Sequence, residues 1–329
     1  MVYRLLTSAY VAALQRKQLL TICLVMALFL AYCYGRNNLR RVGVLAEGAR
    51  GNQIVLRDGY ALIAADGLSI FDLAQPNEPR LVATQELPTI ETADMAVVGD
   101  YVYLVDGEGL AILDVSTLQA PQLIAYEKID GVLLSIAVHE HYAFVAAGYR
   151  GLLLFDVADP RHPVQLDLPP LRESVSAVAI IDHYLYVSTS LPAQFAYLQI
   201  FDITDPPALQ AVGGFEVGDD MDGIAVQGNL GYMATFTEGL KVVDITDPTS
   251  PVLLGVYNTP GYARDVAVRG NYAYVADNFS LRVIDVSNPA QMREVATYKM
   301  KQARGIALDE QHVYVTDLFT GLNIFTFTP

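Results

Sequence analysis

The chain has 329 residues, 53% of them apolar, and a formal net charge of −15 from 21 basic and 36 acidic side chains. A surface this acidic repels nucleic-acid phosphate, which sets nucleic acid aside as a partner. Two cysteines in such a length rule out a disulfide-built scaffold, and the length itself is ample for a large apolar core.

In chain order, the first feature is the apolar run from Leu19 to Tyr34, with Arg16 and Lys17 before it and Arg36, Arg40 and Arg41 after it. As a helix this run would be roughly 24 Å long, slightly short of a hydrocarbon core of about 30 Å. Gly35 and snorkelling Arg16 and Lys17 extend its reach. No clean A-x-A cleavage site follows. Leu30-Ala31-Tyr32-Cys33 is similar to a lipobox, but tyrosine is bulky for the place before the cysteine. Residues 1–35 are therefore expected to form a cytoplasmic flank and a retained transmembrane signal-anchor helix, with 36–41 as a basic linker. A cleaved signal peptide and a lipoprotein signal are the alternatives. Both cysteines, Cys23 and Cys33, lie in this run. The first 41 residues hold six of the 21 basic groups and no acid, leaving 15 against 36, or −21, for the remainder. A thiol-free acidic domain behind such a leader is expected on the extracytoplasmic side, periplasmic or at the cell surface.

From residue 42 onward one phrase recurs. An apolar run closes on Asp72, Asp114, Asp156, Asp202, Asp244 and Asp285, and a seventh copy closes on Thr326. Spacings of about 40 residues mean stacked repeats, each unable to bury its apolar face alone. The unit around Asp285 shows four strand-length runs: Asp265 to Val268, Tyr272 to Ala276, Leu281 to Val286 and Arg293 to Tyr298, separated by Gly, Asn, Asp and Pro. No run carries a helical stripe. Four antiparallel strands per unit and seven units predict an all-β, seven-bladed β-propeller over residues 42–329. The chain stops after the third strand of its last unit. Val42-Gly43-Val44-Leu45-Ala46 is similar to the outer-strand segment Leu254-Gly255-Val256-Tyr257-Asn258, so strand 42–46 is expected to complete the last blade and close the ring.

The recurring turn, as in Asp202-Ile203-Thr204-Asp205-Pro206 and Asp244-Ile245-Thr246-Asp247-Pro248, suits short acids bonded to their own turn backbone. Calcium binding is the competing reading there, but Gln75, Thr117 and Asn288 replace the second acid in three units. Together with Gly270-Asn271-Tyr272-Ala273-Tyr274-Val275-Ala276-Asp277, the phrase Gly239 to Pro248 resembles the LVIVD repeat. The resemblance covers about residues 42–329 and implies an exported prokaryotic propeller. It brings no agreed catalytic residues, so none are assigned through it. The second unit departs from it at Leu118, where proline is expected, and the fourth carries extra residues between Ser188 and Ala196.

No nucleophile elbow, zincin helix, P-loop or C-x-x-C occurs. His139, His141, His183 and His312 fall in the turn occupied elsewhere by Gly270-Asn271, which makes them turn residues. Polar groups do gather on the loops entering the innermost strands. Asp219, Asp220 and Asp222 lie close together, Arg264 and Arg304 follow at the place of Asp222, and Asp94 lies on the same face. These six are the ligand-binding candidates at the channel mouth. Asp219, Asp220 and Asp222 are also the weak calcium candidates, since hard cations favour carboxylate oxygens; otherwise no cofactor is expected. Leu191, Pro192 and Phe195 in the inserted loop are docking candidates. The leading expectation is a non-catalytic, membrane-tethered module presenting a protein-interaction surface, as a scaffold or adhesion protein or an accessory subunit of a membrane complex. Its partners would be proteins, with the membrane engaged through the N-terminal helix. The alternatives are a hydrolase or lyase acting at the channel mouth and a calcium-stabilised ligand-binding module.

Overall fold

A computed structural model describes residues 38–45, 49–88, 92–169, 171, 173–190 and 196–329. The expected signal-anchor helix and the loop residues Leu191, Pro192 and Phe195 lie outside these residues. Among the described residues, regular structure consists of strands and two single 3-10 turns, Pro206–Ala208 and Pro289–Gln291. None of their helices is long and apolar enough to cross a membrane.

The strands form seven four-stranded antiparallel sheets, the blades of a propeller. In six blades the strands follow chain order, from 53–86 in blade 1 to 263–299 in blade 6. The middle two strands of each blade read as near-continuous apolar runs, such as Tyr101–Asp106 and Gly109–Asp114, because both of their faces are covered by neighbouring blades. Seven apolar clusters result, each straddling one blade boundary. Phe144, for example, leaves blade 3 to pack on Val178 and Val187 of blade 4 and is fully buried. A side chain of that size contributes about 1.5–3 kcal/mol on burial.

Blade 7 is completed from the other end of the chain. Leu39–Leu45 pairs antiparallel with Gly321–Phe327, with Leu39 opposite Phe327 and Leu45 opposite Leu322. This strand begins at Leu39, three residues before the expected boundary. Leu39 is buried with Tyr274, Val313 and Phe325, which explains why the strand starts there. Arg40 and Arg41 thus belong to the sheet and not to a linker. Arg41 donates to Asn323 Oδ1 at 3.2 Å, and its guanidinium lies 5.6 Å from the Tyr298 ring centre. The glycine shared by Leu39–Leu45 and Val252–Tyr257 has a steric cause. A Cβ on Gly43 would collide with the carbonyl of Pro76, and one on Gly255 with that of Pro289, each in the turn of the following blade.

The recurring aspartates are turn-formers. The Oδ1 atoms of Asp72, Asp114, Asp156, Asp202, Asp244 and Asp285 each accept the backbone N–H two residues on, at 2.8–3.1 Å. In blades 4, 5 and 6 the same oxygen also accepts the hydroxyl of Thr204, Thr246 or Ser287. The histidine turn has similar origins. Glu140 and Asp182 take positive φ there, the conformation that Gly270 takes in blade 6.

Candidate functional site

Each inner strand begins at the end of the ring where the loops between blades and the turns between second and third strands also lie. In five blades it enters through a register shift, as between Thr92 and Asp94 or Ala263 and Asp265. Such a bulge re-aims side chains. Asn52, Ala93, Leu134, Ser176, Asp222, Arg264 and Arg304 occupy this place in blades 1 to 7 and line a pocket of about 470 Å³ at the channel mouth. The residues following them add Gln53, Asp94, Ser135, Ala177 and Asp265 to the same lining. The volume suits a small molecule.

Two aspartates of the second ring do the same work in different blades. Asp94 Oδ2 accepts the Ser135 hydroxyl at 2.8 Å and the Ile136 N–H at 3.0 Å, while Oδ1 accepts its neighbour's N–H from Met95 at 2.8 Å. Asp265 accepts the Val266 N–H on Oδ1 and the Ile306 N–H on Oδ2, both at 2.8 Å. Each ties its inner strand to that of the next blade. Burial pushes both carboxyls above the usual range in spite of these bonds, and Asp265 reaches about 7. The nearby charges of Asp94 and Asp222 push Asp265 in the same direction.

The basic members differ from each other. Arg264 Nη1 meets Asp222 Oδ2 at 2.8 Å, bridging blades 5 and 6. Its guanidinium lies 4.6 Å from the centre of Phe236, which stacks in parallel on Tyr262 at 4.3 Å. Burial raises the Asp222 pKa even with Arg264 beside it. Arg304, in the same place one blade on, makes no hydrogen bond or ion pair among the described residues, and its Nε is buried without a partner. Burial and the neighbouring Arg264 lower its pKa.

The three clustered acids part company. Asp219 turns back to its own blade, accepting the Thr237 N–H at 2.8 Å and the Thr237 hydroxyl. Burial opposes its ionisation, but these bonds and the Asp220 N–H outweigh it and leave the pKa low. Asp220 faces the pocket, with the Ser176 hydroxyl 3.4 Å from its Oδ1. Asp222 holds Arg264. Three carboxylates engaged in three directions do not make the oxygen cage that a calcium ion needs. Among the described residues no group of three or more His, Cys, Asp or Glu is placed to hold a metal ion. Of the six mouth candidates, five line the pocket and Asp219 does not. Asn52, Gln53, Ser135, Ser176 and Phe236 were missed. Their signal is positional: the first four sit in the two recurring places that Asp94, Asp222 and Arg264 mark.

Around this pocket the same end of the ring carries exposed apolar side chains. Tyr149, Phe279 and Phe319 are 92%, 60% and 58% exposed, and Val132, Leu134 and Tyr262 are also exposed. A second pocket of about 580 Å³ lies beside Tyr149 and Arg150 and shares Leu134, Ser176 and Asp220 with the first. The other exposed large apolar residues described lie within strands, mostly outer ones, and none lies in a turn at the opposite end.

Seven four-stranded sheets around a polar channel mouth define a seven-bladed β-propeller. Residues 91–126, 130–166, 218–259 and 260–300 match the model of the LVIVD repeat, in blades 2, 3, 5 and 6. The chain is thus a seven-bladed β-propeller that carries four LVIVD repeats. Blade 2 is matched despite Leu118. Among solved structures, the β-propeller domain of Myceliophteria thermophila Cps50 (Swd1) is similar at 13% identity and a TM-score of 0.71, over 88% of this chain and all of that one. The WD40 domain of Neurospora crassa Pan2 is similar at 12% identity and a TM-score of 0.67, over 88% and 96%. The computationally designed protein Ika8 is similar at 10% identity and a TM-score of 0.63, over 88% and 100%. At such identities the likeness is one of fold. No curated protein matches the chain.

Proposed function

We propose that this propeller is a non-catalytic module that docks a protein partner across its channel-mouth face. We further propose that an N-terminal signal anchor holds it at the membrane with the ring on the extracytoplasmic side, as a scaffold, adhesion protein or accessory subunit of a membrane complex. The observation that carries the docking reading is the concentration of exposed Tyr149, Phe279, Phe319 and Tyr262 on loops of one face. Exposed aromatic side chains rimming a polar centre are the composition of a protein-binding surface. The Pan2 and Cps50 propellers share the scaffold, which supports a binding module without naming its partner. The mouth acids favour binding over catalysis, since Asp94 and Asp265 are committed to backbone N–H groups that hold adjacent blades together. The anchor reading rests on the apolar run Leu19 to Tyr34 and its basic flanks.

The test is crosslinking and mild-detergent extraction of the full-length protein, followed by native mass spectrometry. A stoichiometric protein partner is expected, together with an intact N-terminal segment. The double variant Phe279→Ser, Phe319→Ser is expected to lose that partner with its thermal unfolding unchanged. If the variant keeps the partner, the mouth face is not the interface; if the protein travels alone as a cleaved monomer, the tethered reading is abandoned. Turnover of a glycan or ester that disappears in Asp222→Asn would replace the docking reading with a hydrolytic one.

A further inference from the structure

A guanidinium that folds into a half-buried place loses water on several sides and needs a partner to replace it. Among the described residues the half-buried arginines obey that rule with one exception. Arg57 pairs with Asp58 and Asp100, Arg264 with Asp222, and Arg282 with Asp277 and Glu294. Arg269 donates to the carbonyls of Asp309 and His312 and to the Tyr274 hydroxyl. Among the described residues Arg304 makes no hydrogen bond or ion pair and feels the Asp222 charge only from a distance, although it lines a pocket that also contains four carboxylates.

The lining constrains what could satisfy it. A simple anion would pair with Arg304 but would enter a site where Asp94, Asp220, Asp222 and Asp265 outnumber Arg264 and Arg304 by four to two. A simple cation would suit the carboxylates and leave Arg304 bare. A molecule bearing both charges a few ångströms apart satisfies both halves. The pocket of about 470 Å³ accommodates such a molecule at amino-acid size. We propose that the channel mouth is a binding site for a free α-amino acid, with its carboxylate on Arg304 and its ammonium group among the pocket carboxylates. This site lies inside the aromatic rim and is independent of whether the rim docks a protein. The raised pKa values of Asp94, Asp222 and Asp265, which come chiefly from burial, agree with it, since a bound ammonium group would offset the cost of burying their charge.

The experiment uses the full-length protein in mild detergent. Each of the common free L-α-amino acids is added at about 10 mM and thermal unfolding is followed, because a ligand of the native state must raise the transition. At least one is expected to do so, and titration calorimetry then measures its affinity. The same molecule without its amine, and without its carboxylate, is expected to bind at least about tenfold more weakly, and Arg304→Gln to weaken the intact amino acid by about the same factor. Arg161→Gln, an exposed arginine remote from the pocket, is expected to change nothing. Should Arg304→Gln fail to fold, Asp220→Asn serves instead, with about the same loss expected. The proposal is overturned if no amino acid raises the transition, if the carboxylate half alone binds as well as the whole, or if Arg304→Gln binds unchanged. The rim variant Phe279→Ser, Phe319→Ser is expected to bind the amino acid normally, so failure of the docking reading leaves a separate signature.

Discussion

At the end of the ring away from the channel mouth, Asp114, Asp202, Asp244 and Asp285 lie part-exposed at the surface, each accepting an N–H and a neighbouring hydroxyl within its own turn; these bonds lower their pKa values. At the mouth, Asp94 and Asp265 accept comparable N–H bonds, yet burial pushes their pKa values up. The donors are alike and the dielectric surroundings are not. A carboxylate in a turn satisfies its own loop, whereas one at the mouth joins two blades and bears the electrostatic cost of facing other acids. Position in the repeat therefore decides what an aspartate does, more than the bonds that hold it.

The largest effect should come from removing a mouth aspartate. Asp94→Ala strands the Ser135 hydroxyl and the Ile136 and Met95 N–H groups, and should cost about 2–3 kcal/mol in denaturant unfolding. A loss no greater than that of a turn aspartate would erase the distinction drawn here. The pH dependence should be intermediate in size. The folded pKa of Asp265 lies near 7, above its unfolded value, so its favourable contribution is complete below the unfolded pKa and disappears as pH rises through about 7. Unfolding should therefore come a few degrees later at pH 6 than at pH 8, and Asp265→Asn should flatten that slope. Below about pH 4 the trend should reverse, as the low-pKa turn carboxylates take up protons and lose their bonds. The smallest effect should be Asp244→Ala, which frees two donors that water can satisfy at once; its unfolding midpoint should move less than that of Asp94→Ala.

Much of the fold is legible in the residues because each blade repeats one steric solution. The aspartate marks the turn between third and outer strands, and Thr326 replaces it where no turn follows and Arg40 of the closing strand pairs opposite. Gly43 betrays an outer strand because only glycine fits against the Pro76 carbonyl. The starting point of that strand is less legible, since basic Arg40 and Arg41 read as a linker while buried Leu39 holds the end in place. The site is legible where charge interrupts an apolar repeat, as at Asp222, Arg264 and Arg304. It is hidden at Asn52, Ser135 and Ser176, which read as ordinary strand or loop residues until seven blades bring them to one rim. Asp219 shows the opposite failure. Proximity in sequence grouped it with Asp220 and Asp222, but the hydroxyl of Thr237 draws it away.

The seam between Leu39–Leu45 and Gly321–Phe327 also fixes how the ring would respond to tension. Leu39 and Phe327 lie side by side, so the chain enters and leaves the sheet at the same edge, opposite the mouth. A pull applied between these two points would open the backbone ladder rung by rung, with each pair meeting the load alone. The same pull applied along the strands, from Leu39 against the Leu322 end, would be shared by the whole ladder. The propeller would therefore yield like a zip when stretched between Leu39 and Phe327 and hold like a rivet when stretched from Leu39 to a partner seated on its mouth.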